Sequence, residues 1–233
     1  DVGFGKTEIA IRAAFLSAYN NRQTIILAPT TLLVNQLYSC FSERLVSFGV
    51  SLARLSRLTK KNKETLRCFC RGEFDVLVGT SAVLRDPRAL QACSLFIVDE
   101  EHRFGVKDKE FVFETNPSVD FLSMSATPIP RSLELSLNKI RNLSLIHSPP
   151  VSRKPIISSV GSYDLGFIKG VVLSEISRGG QVYFVDNSVE KLSICAASLR
   201  ALLPSLNIVE IYSSLSPNKL IGAMRSFVSG DIN

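Results

Sequence analysis

Five short runs rich in β-branched and large apolar residues, TIILA (24–28), FDVLVG (74–79), SLFIVDE (94–100), DFLSMS (120–125) and LSLIH (143–147), alternate with longer stretches of helical period. Runs that are apolar almost throughout fit strands buried on both faces. Strands separated by helices pair in parallel, with the helices covering both sides of the sheet. Between the first two runs Leu33, Leu37, Phe41, Leu45 and Phe48 recur at spacings of four and three, which is one face of an amphipathic helix. The fold class is therefore α/β with a parallel sheet.

The segment SPPVSRKP (148–155) holds three prolines and two basic residues, which suits an extended linker better than a regular element. It separates a first domain, 1–147, from a second, 156–233, in which the pattern restarts: a helix near 164–178, a strand at 181–186 (QVYFVD), a helix at 188–202, a strand at 207–212 (NIVEIY) and a helix from about 217. With 45% hydrophobic and 21% charged residues in 233, the chain has the composition of a globular protein, and no apolar run is long enough to cross a membrane. Cysteines 40, 68, 70, 93 and 195 lack the spacing of zinc or redox pairs, so they read as reduced thiols of a cytoplasmic protein.

The first eight residues, DVGFGKTE, match most of a phosphate-binding loop: Gly3, Phe4, Gly5, Lys6 and Thr7, with Glu8 opening a helix of good formers. Such a loop points backbone N–H groups at phosphate oxygens, and the following helix N-terminus adds partial positive charge. Lys6 would neutralise the β and γ phosphates of ATP, and Thr7 would offer its hydroxyl to Mg²⁺. The pattern's leading glycine would precede Asp1, so the chain is expected to be a piece of a longer protein. In LFIVDEEH (95–102) a strand ends in adjacent carboxylates. Asp99 there can hold Mg²⁺ through water and Glu100 can orient the attacking water. Parallel sheets bind ligands at the carboxyl ends of their strands, so the two motifs can meet on one nucleotide. His102 and the strand-to-turn segment MSATPIPR (124–131), with Ser125 and Thr127, would relay between nucleotide and neighbouring segments.

With these elements in this order the sequence resembles the superfamily 2 helicases and translocases. DEEHRFGV (99–106) and SATPIPR (125–131) resemble the branch that holds the transcription-repair coupling factors and the fork-remodelling RecG helicases. Phe4, Glu101, PTTLLVNQ (29–36) and GQVYFVDNSVEK (180–191) are more similar to the coupling factors. The resemblance implies a RecA-like P-loop domain followed by the start of a second one. It also implies an ATP-driven translocase on double-stranded DNA that displaces stalled RNA polymerase and brings in excision-repair proteins. A RecG-like remodeller of branched DNA and a catalytically incompetent nucleic-acid-binding fragment are the alternatives. The family's arginine finger would come later in the second domain, so these residues alone are expected to hydrolyse ATP poorly or not at all. The family's His-Gly-Gln-Met run is replaced by IYSSLSPNKL (211–220).

By the same resemblance, Pro29, Thr30, Thr31, Ser56, Arg57, Gly79, Thr80, Arg103 and Phe104 would face DNA. Hydroxyls, amides and arginines at helix starts suit phosphate contacts, which hold a protein on DNA without reading bases. Charge agrees with this: of the net +6, all is accounted for between Arg54 and Arg71, where seven basic residues face Glu64 alone.

Overall fold

The computed structural model describes residues 3–56, 62–126, 142–151, 153 and 156–232. The chain divides into two compact units, Asp1–Pro155 and Ile156–Asn233. In the first, the elements are α1 (Lys6–Tyr19), β1 (Gln23–Leu27), α2 (Thr31–Leu45), β2 (Leu52–Leu55), α3 (Asn62–Cys70), β3 (Val76–Gly79), α4 (Pro87–Ala92), β4 (Cys93–Asp99), α5 (Val106–Thr115) and β5 (Asp120–Met124). All ladders are parallel and the strand order is β2-β3-β1-β4-β5.

Successive residues of each central strand enter opposite cores, as the two-residue period of a strand requires. Ile25 and Leu27 of β1, Leu77 of β3, and Phe96 and Val98 of β4 pack with Phe69 of α3, Leu90 of α4 and Val112 of α5. Ile26, Val76, Val78 and Ile97 pack on the other side with Ala10 and Ala14 of α1 and with Val34 and Phe41 of α2. The sheet is thus covered on both faces, in agreement with its near-continuous apolar runs. Phe41, Phe69 and Phe96 are completely buried, each contributing about 1.5–3 kcal/mol through the apolar surface it removes from water.

Two expectations fail in this unit. LARL (52–55) is a strand that the search for apolar runs passes over, because as an edge strand it alternates buried Ala53 and Leu55 with exposed Arg54. Conversely, 143–147 forms no strand: Leu143, Leu145 and Ile146 are exposed, and the segment joins no ladder among the described residues.

The second unit contains α6 (Leu165–Ser177), α7 (Val189–Leu202) and α8 (Pro217–Val228). Asp164 and Ser188 cap α6 and α7 through Phe167 N and Lys191 N. The expected strands at 181–186 and 207–212 are not formed, and no residue described in this unit is in a strand. The first unit supplies the reason. There β1 and β2 are not neighbours, since β3, which follows α3, lies between them. No described segment of the second unit plays that part, so the two extended stretches face each other across a cavity of about 480 Å³ lined by Val182, Phe184, Ile208 and Glu210 among others.

A glutamine marks the correspondence between the units. Gln23 Nε2 donates to the carbonyls of Phe69 and Phe74, both at 2.7 Å, across sequence separations of 46 and 51. Gln181 Nε2 donates to Phe227 O at 2.6 Å and Ile232 O at 2.5 Å, across the same separations. In both, a left-handed glycine follows the helix, Gly72 (φ 79°) after α3 and Gly230 (φ 87°) after α8. Both N–H groups of each amide are used, and the carbonyls are partly buried. Gln23→Leu is therefore expected to lower the unfolding free energy of the first unit by about 2 kcal/mol, read from denaturant midpoints, with Gln181→Leu doing the same to the second.

Candidate nucleotide and nucleic-acid site

Gly3 (φ 76°) and Gly5 (φ 90°) both take the left-handed conformation that side chains disfavour, which curls the chain into α1 with Gly5 at its N-cap. Lys6, Thr7 and Glu8 form the first turn of that helix. The carboxylate of Glu8 is turned toward Arg12 Nε at 3.0 Å and Arg44 Nη2 at 3.1 Å, tying α1 to α2. The Arg12 hydrogen bond, together with Arg44, holds its carboxyl below the usual range.

Asp99 is the last residue of β4, at the carboxyl edge of the sheet. Burial, and then the neighbouring charge of Glu100, push its carboxyl above the usual aspartate range, while the Glu100 backbone N–H and the charge of Lys6 pull it back. The charge of Lys6 is the smallest of these four influences on Asp99. Glu100 N donates to Asp99 Oδ1 at 3.1 Å. Glu100 itself is left-handed (φ 55°, ψ 57°), one of two such non-glycine residues among those described. A conformation of this kind costs on the order of 1 kcal/mol or more and persists where the surroundings enforce it.

The turn Glu101–Arg103 follows directly. His102 Nδ1 lies 3.3 Å from Glu100 Oε2. Glu101 points inward instead: its Oε1 accepts from Lys109 Nζ of α5 at 2.6 Å, and both side chains are mostly buried. Phe104 packs its ring 6.3 Å from that of Phe96, anchoring the turn on the core, and leaves Arg103 exposed. A small cleft of about 100 Å³ has Asp99 and Glu100 on its wall together with Pro29, Ser81, Arg103 and Phe104. It thus joins the loops that follow β1, β3 and β4.

The remaining candidates for DNA contact are spread over the same edge. Thr30 Oγ1 caps α2 by accepting from Leu33 N, and Thr80 Oγ1 accepts from Ala82 N. Each hydroxyl acts there as acceptor, a role that leaves its own hydrogen for another acceptor. Thr31 begins α2 and is partly buried. Ser56 is 3% exposed, at the end of β2, where its carbonyl accepts from Asn62 Nδ2. Arg54 is held by Asn35 Oδ1 at 3.1 Å and by the face of Tyr38 at 5.3 Å. Ser125 directly follows β5 and is partly buried. Arg57 and Thr127 lie outside the described residues.

Gly79 has a packing reason of its own. A Cβ there would sit 2.4 Å from Val83 Cγ2 and 3.1 Å from Leu55 O, and Val83 is fully buried. Gly79→Ala is expected to destabilise the first unit by about 1–3 kcal/mol, the usual range for overpacking, as measured by thermal or denaturant unfolding. Two residues beside the site lie outside the motifs. Lys109 is found only through its partner Glu101, and Arg153 lies over the ring of Phe4 at 4.7 Å from a stretch that reads as linker.

A glycine loop leading into a helix, together with paired carboxylates at the carboxyl edge of a doubly covered parallel sheet, defines a P-loop nucleotide-binding domain. Residues 1–135 match the DEAD/DEAH box helicase family, and the chain belongs to that family. Over 229 residues, 97% of its length, it is 39% identical to the transcription-repair-coupling factor of Haemophilus influenzae and to that of Escherichia coli K12. It spans about a fifth of the length of each, 20%. The structure of RecG bound to a three-way DNA junction superposes with a TM-score of 0.74 at 28% identity, over 99% of this chain and 31% of RecG. Yeast Dbp5 shares the fold, with a TM-score of 0.69 at 18% identity over 99% of this chain and 62% of that one. The expected likeness to coupling factors and the α/β P-loop architecture are thereby borne out. Family membership implies use of ATP and Mg²⁺ in general. No helix among the described residues is long and apolar enough to cross a membrane.

Proposed function

We propose that this chain is the nucleotide-binding part of an ATP-driven double-stranded DNA translocase of transcription-coupled repair, which displaces stalled RNA polymerase and brings in excision-repair proteins in the cytoplasm. The observation that carries the motor reading is the left-handed glycine loop that opens α1 within the residues matching the DEAD/DEAH box helicases. The choice of repair over other helicase work rests on the 39% identity that runs through nearly the whole chain.

The residues present fit ATP with Mg²⁺. Gly3 and Gly5, both left-handed, give the loop the curl that turns successive amides inward, ahead of a 14-residue helix. No group of three or more His, Cys, Asp or Glu stands together among the described residues. A hard cation here would take oxygen from Thr7, from Asp99 through water and from the phosphates, as Mg²⁺ does. Bound there, the ion would neutralise charge developing on the transferred phosphoryl group. Lys6 supplies fixed positive charge, and Glu100, whose Oε2 lies 3.3 Å from His102 Nδ1, orients water. His102, Ser125 and Thr127 couple the nucleotide to the DNA side, where Thr30, Thr31, Ser56, Arg57, Gly79, Thr80, Arg103 and Phe104 belong. Phe104 and Ser56 support that surface from within, and Arg103 and the two capping threonines reach the phosphates.

RecG supports a second reading, a remodeller of branched DNA, through its TM-score of 0.74. The test is to give the complete gene product two substrates, a stalled transcription complex and a three-way DNA junction. ATP-dependent release of the polymerase upholds the repair reading. Junction unwinding without polymerase release replaces it with the RecG-like one. Binding to DNA is expected to weaken steeply with salt and to show little sequence preference, and a shallow salt slope would remove the phosphate-contact assignment.

A further inference from the structure

Arg153 is delivered to the phosphate loop by a turn. Its backbone N–H donates to Pro150 O at 2.9 Å, in a stretch stiffened by Pro149 and Pro150, and the residue is partly buried although it lies in the segment that reads as a linker. The guanidinium carbon is 4.7 Å from the centroid of the Phe4 ring. Nε lies 3.4 Å from where a Cβ on Gly3 would stand, which places the Arg153 side chain against the glycine loop.

We propose that Arg153 is a nucleotide-contacting residue: a second cation beside Lys6 for the polyphosphate of a nucleoside triphosphate, through which the chain leaving the first unit responds to nucleotide occupancy. The inference rests on the nucleotide-site reading above. Its chemistry is simple. A polyanion held by the loop amides lies within a Debye length of a guanidinium seated on the same loop, and the planar fork of arginine matches phosphate oxygens. Phe4, which has no part in phosphate chemistry, becomes the platform that holds the guanidinium before the nucleotide arrives. Preorganisation of this kind reduces the ordering cost at binding.

The experiment is calorimetric titration of the protein with Mg·ATP and, separately, with adenosine. Arg153→Ala is expected to weaken Mg·ATP about tenfold, the scale of one charge-assisted contact, and to leave adenosine binding unchanged. Arg153→Lys keeps the charge but not the fork and recovers only part of the loss. Phe4→Leu keeps the arginine and removes its platform, so it weakens Mg·ATP by roughly threefold and serves as the test should Arg153→Ala fold poorly. Mg·ATP affinity within twofold of the parent in both Arg153→Ala and Phe4→Leu overturns the proposal and leaves the nucleotide site standing. An unaltered protein that does not bind Mg·ATP, or a Lys6→Ala variant that binds it as tightly as the parent, overturns both.

Discussion

Lys6→Ala abolishes ATP turnover in the complete gene product while DNA binding is largely retained. The expected loss in kcat/KM is at least ~10²–10³-fold, the range found when one preorganised electrostatic group facing the developing charge is removed. Two structural facts make the effect large. Lys6 is the first residue of α1 and sits directly behind the left-handed Gly5, so no other side chain of the loop can take its place. It also carries positive charge that works against the upward shift of the Asp99 carboxyl, so its removal leaves that shift less opposed. DNA binding, by contrast, is proposed to fall to the loops after β1, β3 and β4. A steady-state ATPase assay beside a DNA-binding titration checks the split. Turnover within a few-fold of the parent would remove Lys6 from the site.

Glu100→Gln separates binding from turnover. The substitution keeps shape and removes the base, so Mg·ATP affinity is held within a few-fold while turnover drops by about 10²–10⁴, the usual worth of a positioned acid or base. Because the charge of Glu100 is one of the two causes that raise Asp99, the variant also brings Asp99 down. Binding should therefore not suffer. Single-turnover kinetics with a separate nucleotide titration distinguishes the two effects. Parallel loss of affinity and rate would place Glu100 among the binding groups and take the water-orienting role from it.

How much of this could be read in advance depended on whether the signal was local. β1, β3 and β4 are largely buried on both faces, and their composition reveals them; β5, at the other edge and only partly buried, is revealed by its apolar run alone. β2 is an edge strand with Arg54 turned outward, and it hides in a stretch whose loudest feature is charge. The segments 181–186 and 207–212 have strand composition, but a strand is made by a ladder partner as much as by propensity, and none is present beside them among the described residues. At the candidate site, Gly3 to Thr7 and Asp99 to Glu100 stand out in the sequence because phosphate and metal chemistry demand particular residues at fixed spacing, and the structure places them at the start of α1 and the end of β4. Thr30 and Thr80 were legible as hydroxyls at the starts of helical turns, and the structure adds that each is also a cap. What stayed hidden were contacts with no shared sequence pattern: Glu101 with Lys109, eight residues on, and Phe4 with the distant Arg153.

The amide of Gln23 does more than satisfy two carbonyls. The β1–β3 ladder starts one residue after it, at Thr24↔Val76. Both carbonyls that it grips, those of Phe69 and Phe74, lie on the chain that leads into β3. In a sheet buried on both sides, a slip of one residue exchanges the two faces of a strand. Ile25 and Leu27 would move to the side now held by Ile26. Both sides are apolar, so hydrophobicity alone penalises such a slip only weakly. The glutamine works as a positional stop that holds the start of β3 in one register against β1.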